Sequence, residues 1–508
     1  MKKIILFVLL VYKCTFADYS TPGTGKSWNL DSLVTYSSGV VTYSGGVYLV
    51  NDTLTISASD TLKILNDATL KLASLVLINI SGTLTINPPD SVKITAQDTA
   101  QQFLGMRFDT LSGSSVLRKM IFEYGNAIKL VSTSILIDSC TIRYNTLVSN
   151  FSSGAINLFR SNSIISNNKI FHNRRSAIIS GANIPSSPQI IGNTMYENNV
   201  FNENYPQINL GASGTDTLII RNNTIRGYYD MAGGIALFPI GSIQNCVIQN
   251  NIIKHNRYGI VFQNVNINAY VVNNIIDSNN INPDAMSGGS GINLYGNSSI
   301  NVIISRNKIR WNLWGVTIQS TAKPNLGDLN NPDTSAHGWN YIYSNKHNDT
   351  TFDLYNNTPD SIKAENNFWG TGNLDTIELH IFHKPDNPAL GFVDYLPIFI
   401  PIGIIHISNI LPQSFKLYDA YPNPFNPNTK ILFSIPLIKG GIGELSNEVV
   451  KLKIYDILGR EITTLVNQRL KPGSYEINWD ASNYPSGTYL SRLTAGSFSQ
   501  AKKLVLVK

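Results

Sequence analysis

Charge is scarce in this chain. Asp, Glu, Lys and Arg together supply 14% of 508 residues, whereas apolar types supply 43%. A disordered chain shows the opposite balance, so the polypeptide is expected to pack a core. Cysteine is scarcer still, limited to Cys14, Cys140 and Cys246. That number excludes a disulfide framework, and the lack of a CxxC or Cys/His spacing excludes a structural zinc site. Long apolar runs are missing too. Residues 4–11 are too short to span a bilayer, and Pro397 and Pro401 interrupt residues 396–407, so no transmembrane anchor is expected. No phosphate-cradling Gly loop, Ser/His/Asp set or cluster of carboxylates is recognisable.

What the amino terminus does contain reads as a secretory leader over residues 1–17. Lys2 and Lys3 precede the apolar run, and Thr15-Phe16-Ala17 offers small residues for cleavage. Without Lys2, Lys3 and Lys13 the remaining chain carries 36 basic and 33 acidic residues, a net charge of +3. So small an excess gives no footprint for nucleic acid. Cys140 and Cys246 read as two buried thiols at coil-facing apolar positions, although an oxidising destination would permit them to pair.

The middle of the chain repeats itself. An Asn-x-Ile core recurs in Asn167-Asn168-Lys169-Ile170, Gly192-Asn193-Thr194-Met195, Asn222-Asn223-Thr224-Ile225, Asn250-Asn251-Ile252-Ile253, Asn273-Asn274-Ile275-Ile276 and Arg306-Asn307-Lys308-Ile309. Degenerate copies are Ser139-Cys140-Thr141-Ile142 and Asn366-Asn367-Phe368-Trp369. A second Asn follows three residues after the Ile position, at Asn145, Asn173, Asn198, Asn256, Asn279 and Asn312. Each unit therefore reads as strand, corner, strand, with runs too short and too β-branched for helices. Stacked coils would bury the Ile column and place Asn168, Asn193, Asn223, Asn251, Asn274 and Asn307 in a line. Asn tolerates left-handed corners, and its amide bonds both up and down such a stack. Before these copies, Leu54-Thr55-Ile56, Leu62-Lys63-Ile64, Leu70-Lys71-Leu72, Val76-Leu77-Ile78, Leu84-Thr85-Ile86 and Val92-Lys93-Ile94 recur about every eight residues. Three such strands make one coil of a three-sided solenoid.

The Asn-Asn-x-Ile copies, Glu365-Asn366-Asn367-Phe368-Trp369-Gly370 and the following Val393-Asp394-Tyr395-Leu396-Pro397 resemble the right-handed parallel β-helix superfamily, the pectin-lyase-like group that includes NosD-type proteins. The resemblance covers residues 40–398 and implies the fold without an activity. The expected helix spans 18–398, with 18–40 as a lead-in or cap.

After a linker at 399–413 the style changes. Tyr421-Pro422-Asn423-Pro424-Phe425-Asn426-Pro427 is rich in turn formers, and alternating runs follow at 430–435, 449–455, 462–466, 475–479, 488–493 and 502–507. This is the pattern of a small immunoglobulin-like β-sandwich. With Tyr455-Asp456-Ile457-Leu458-Gly459-Arg460, Trp479-Asp480 and Ser486-Gly487-Thr488-Tyr489, residues 414–508 resemble the type A C-terminal sorting domain of the type IX secretion system. The resemblance implies that this machinery is a partner and that the destination is extracellular or the outer-membrane surface. The whole is expected to be an all-β monomer.

A binding strip is expected beside the Asn line. Tyr144, His172, Tyr196, Glu197, Lys254, His255, Arg310 and Trp311 follow the Ile positions, and a stack of aromatic, basic and His side chains suits sugars and uronic acids. The Asn-Thr-Asp, Asp-Asp, His-Gly and Arg-x-Lys set of β-helix polygalacturonases is absent; His337-Gly338 lacks acidic partners. His380 and His383 could share a metal only with a third ligand such as Glu378 or Asp386, so no metal and no cofactor is expected. Arg174, Arg175 and Arg257 could serve as the bases of a lyase, yet exposed coil corners explain them as well. The favoured expectation is a surface protein that binds carbohydrate or adheres. The alternatives are a polysaccharide lyase, which would need calcium, a glycoside hydrolase acting on uronic-acid glycans, and a purely structural coat.

Overall fold

The computed structural model describes residues 17–147, 154–399, 404–408, 412–436, 449–470, 472–482 and 484–508. Residues 1–16 of the leader lie outside the described residues. The chain divides into two units, at residues 1–399 and 400–508.

In the first unit the eight-residue rhythm becomes three parallel sheets that the chain visits in turn. Leu54–Ile56 joins sheet 1, Thr61–Ile64 sheet 3 and Ala68–Leu72 sheet 2, and the next lap begins with Leu77–Ile80 back in sheet 1. Sheets 1 and 3 each have 14 strands and sheet 2 has 13. The result is a three-sided parallel β-helix. Its lead-in adds Tyr19–Ser20 to sheet 1, Ser27–Trp28 to sheet 3, and a helix, Leu30–Tyr36, that buries Leu30 and Leu33. Asn29 starts that helix with a capping box through Ser32.

Alternation decides which face is dry. In sheet 2 the middle residues Ile142, Ile170, Met195, Ile225, Ile253, Ile276, Ile309 and Ile342 pair coil to coil in register and are fully buried. Each such side chain taken from water contributes roughly 1.5–3 kcal/mol, and a one-residue slip would turn the whole column outward.

The two asparagines of each copy divide the work. The first takes the left-handed conformation, with φ between 55° and 60° at Asn167, Asn222, Asn250, Asn273 and Asn366. The second is buried and carries the line. Asn168 donates its amide to Asn193 Oδ1 at 2.9 Å, and the same bond links Asn193 to Asn223, Asn223 to Asn251, Asn251 to Asn274 and Asn274 to Asn307. The line continues through Asn340 to Asn367. A second line at the next corner runs Asn145–Asn173–Asn198 and Asn256–Asn279–Asn312–Asn345, and Asn345 donates to Asp353. Asp353 is fully buried, and its other oxygen lies 3.2 Å from His380 Nδ1.

Cys140 departs from the expected coil-facing apolar position. It occupies the place of the ladder Asn in its copy: its peptide N–H donates to Asn168 Oδ1 at 2.8 Å, and its Sγ is 3.4 Å from the Leu117 carbonyl below. Cys246 lies in the dry column of sheet 3, between Leu218 and Ala269. Both thiols are free and buried, and burial pushes the Cys140 thiol up to about 12.

The second unit is a pair of four-stranded antiparallel sheets. One contains Ile404–Ser408, Gly473–Asp480, Asn428–Ile435 and Lys416–Leu417; the other contains Glu461–Arg469, Val449–Asp456, Gly487–Ala495 and Phe498–Leu506. Ile404–Ser408 falls within the stretch read as a linker, where its apolar run pairs with Gly473–Asp480. Phe433, Trp479, Leu493 and Leu504 fill the space between the sheets, and Tyr489 donates its hydroxyl to the Pro485 carbonyl at 2.7 Å to fix a corner.

Candidate functional site: a corner stack and a groove on sheet 1

The residues expected to form a strip do line up. At the end of sheet 2, Glu123, Arg143, Phe171, Tyr196, Arg226, Lys254, Asp277, Arg310 and Tyr343 pair in register. The residue after each makes the corner. Tyr144, His172, Glu197, His255 and Trp311 all have φ between 52° and 57°. Left-handed backbone costs an ordinary residue about 1–2 kcal/mol, and Gly or Asn would hold these corners more cheaply.

The stack is largely turned on itself. Tyr144 lies between Tyr124 and His172, with ring centroids 5.4 and 5.3 Å away. Phe171 covers Tyr196 at 4.7 Å, and His172 Nε2 is 3.1 Å from Glu197 Oε2. Arg310 holds Asp277 through two nitrogens, at 3.1 and 2.6 Å, and lies 4.4 Å over the ring of Trp311. Ring faces and charges here meet one another. Lys254 and His255 are the less engaged pair. Burial, with Arg226 and Lys254 nearby, holds the His255 imidazole below its ordinary value.

A well-formed concavity lies elsewhere. Outward-facing residues of sheet 1 floor a groove of about 400 Å³. Ala236, Val261, Asn293, Thr317 and Tyr355 follow one another on five successive coils, with Gln263, Gln319 and Asn357 beside them. At a coil rise of about 4.8 Å the floor extends for roughly 19 Å, a length suited to a chain. Tyr355 stacks on Phe382 at 4.7 Å, and Trp314 meets Tyr355 edge-on at 5.2 Å. Trp314 donates its indole N–H to the Ala285 carbonyl at 3.1 Å and so secures the loop that forms one wall. Tyr258 also belongs to the lining, and Gly233 makes room for it: a Cβ there would come within 2.2 Å of the Tyr258 ring.

The chemistry of the lining is amide, hydroxyl and aromatic. Asn293 Oδ1 is shielded from water and has no hydrogen-bond partner among the described residues. Arg257, read from sequence as an exposed corner, is instead 6% exposed and part of the lining. Among the described residues no Asp or Glu lines the groove. Glycoside hydrolysis asks for two carboxylates flanking the bond, and calcium asks for several oxygen ligands, mostly acidic; neither arrangement is present there. Among the described residues no three His, Cys, Asp or Glu side chains converge as metal ligands. His380 faces Asp353, whereas His383 uses Nε2 toward Glu378 at 3.0 Å and accepts from the Val393 N–H on Nδ1 at 3.0 Å.

Residues 126–309 match the family model for the right handed beta helix region, and residues 419–508 match that for the secretion system C-terminal sorting domain. The chain is a right-handed β-helix protein with a type IX sorting tail. No curated protein and no solved structure matches it significantly. The sorting domain makes the β-helix protein a cargo of that secretion system, exported to the cell surface or released. No helix among the described residues is long and apolar enough to cross a membrane.

Proposed function

We propose that the β-helix protein is a non-catalytic glycan-binding protein of the cell exterior, and that the groove on sheet 1 receives a polysaccharide chain. One observation carries this reading: the groove combines aromatic rings with a file of amides on successive coils and contains no carboxylate. Sugar rings present apolar faces to Trp and Tyr, and their hydroxyls exchange hydrogen bonds with Asn and Gln. The unpartnered Asn293 oxygen supports the same reading, since a shielded acceptor without a donor is costly until a ligand hydroxyl supplies one.

The test is affinity electrophoresis of the full chain in gels carrying a panel of neutral and acidic polysaccharides, with reducing-end and unsaturated-product assays in parallel. Retention without product is expected. Replacing Tyr355 and Gln319 together with Ala should weaken retention by about tenfold or more, the loss of one stacked ring and its neighbouring amide. Release of products would establish an enzyme. Retention untouched by the double substitution would move the site off this groove.

A further inference from the structure

Arg257 is buried without a counter-charge. Its Nη2 donates to Asn204 Oδ1, its Nη1 is 3.9 Å from Met231 Sδ, and its guanidinium lies 5.1 Å from the centroid of Tyr258. Its Nε has no partner, and no carboxylate among the described residues reaches ion-pair distance. Three other arginines of this helix are paired: Arg143 meets Glu123 at 2.8 Å, Arg310 meets Asp277 at 2.6 Å, and Arg175 pairs with Glu203.

The surroundings hold Arg257 in place. Its N–H donates to the Ala232 carbonyl at 2.8 Å, and its carbonyl accepts from Gly289 at 2.6 Å. The wall loop closes on its stem so tightly that a Cβ on Gly288 would lie 2.8 Å from Arg257 Cγ. A Met or Leu would fill the same space without desolvating a charge, and a buried cation left unpaired destabilises the free protein. A guanidinium offers five donors in a planar fork, and those engaged here, toward Asn204, Met231 and Tyr258, meet only uncharged partners.

We propose that Arg257 awaits an anionic group on the ligand, a carboxylate or a sulfate, so that the groove selects acidic glycans over neutral ones. This inference rests on the groove being the glycan site.

The experiment compares the full chain with its Arg257→Gln and Arg257→Met variants on polygalacturonate, dextran sulfate and uncharged dextran. Wild type is expected to hold at least one acidic polymer more tightly than dextran. Arg257→Gln should lose that acidic affinity by roughly thirtyfold or more, as for other buried charges deprived of a partner, with dextran unaffected. A loss confined to polygalacturonate identifies a carboxylate, and one confined to dextran sulfate identifies a sulfate. Unchanged acidic affinity in the variant, or equal wild-type affinity for dextran, would overturn the proposal.

Thermal melts give a reading independent of any polymer. In plain buffer Arg257→Met should melt at or above the wild-type temperature, because relief of the unpaired buried charge outweighs the loss of its bond to Asn204; a clear fall would make Arg257 structural and defeat the inference. If no polymer binds wild type, the glycan reading fails by itself. The anion inference is then decided by sodium sulfate and galacturonate. A larger rise in melting temperature for wild type than for Arg257→Met supports it, and equal rises overturn it.

Discussion

Replacing Asn223 by Ala removes one rung of the buried amide line, and its cost can be worked from the bonds it makes. Asn223 Oδ1 accepts from the Asn193 peptide N–H at 2.9 Å and from Asn193 Nδ2 at 3.0 Å. Its Nδ2 donates to the Ile190 carbonyl and to Asn251 Oδ1, both at 2.9 Å. Truncation leaves the Asn193 N–H without an acceptor, at about 1–3 kcal/mol for a buried orphan, and deletes three further bonds of about 0.5–1.5 kcal/mol each. Asn193 Nδ2 keeps the Ile165 carbonyl, and Asn251 Oδ1 keeps the Asn223 N–H, which limits the damage. The expected loss is about 3–5 kcal/mol. Asn222 is the matched control. It is the exposed neighbour at φ 58°, so Asn222→Ala should cost only the left-handed penalty of about 1–2 kcal/mol. Urea unfolding of both variants measures the difference, and native-state hydrogen exchange shows whether the opening is confined to the coils around the missing rung, as nearest-neighbour stacking requires. Equal losses for the two, or less than about 1 kcal/mol at Asn223, would refute the assignment of load to the second Asn of each copy.

Two further outcomes follow from the corners and strand ends. Ser278 has φ 55° at a corner, and Ser278→Gly should stabilise the chain by about 0.5–1 kcal/mol, read as a higher urea midpoint with unchanged slope. Burial alone would raise the Glu123 carboxyl, but Lys93 at 2.7 Å and Arg143 at 2.8 Å hold it below its ordinary value of 4.5. Its contribution is therefore full above pH 4.5 and is lost as the pH falls through the depressed native value. Glu123→Gln should flatten that part of the stability–pH profile; an unaltered acid limb would show that this ion pair does not contribute.

The architecture was legible because it repeats. Identical amides and aliphatics at fixed offsets can only mean equivalent places on successive laps, so Asn168 through Asn307 could be aligned without coordinates. One member escaped, and one was recognised as a copy without its ladder role. Asn340-Tyr341-Ile342 carries the same core but follows His337-Gly338-Trp339 in a stretch that looks like an insertion, and Cys140 stands in for an amide with a thiol. The groove was illegible for the opposite reason. Its floor changes identity on every coil, from Ala236 to Val261, Asn293, Thr317 and Tyr355, and its walls come from loops of unequal length, so self-comparison of the sequence averages it away. Arg257 followed the second-corner asparagine Asn256 and so looked like surface; only the wall loop folding back across it makes it interior. The corner stack was placed correctly in register, but alignment alone could not show that its rings face one another.

Asp353 gives the second amide line a direction and a stop. Along that line Asn279, Asn312 and Asn345 each take a donor from one lap, and Asn256, Asn279 and Asn312 each offer one to the next, so a lap could in principle recruit another, including one from a neighbouring molecule. Asp353 takes the Asn345 amide at 2.9 Å and passes it to no further asparagine among the described residues. By ending on an acid whose other oxygen lies 3.2 Å from His380 Nδ1, the line has at this corner no further amide through which a solenoid could grow end-on into a fibre.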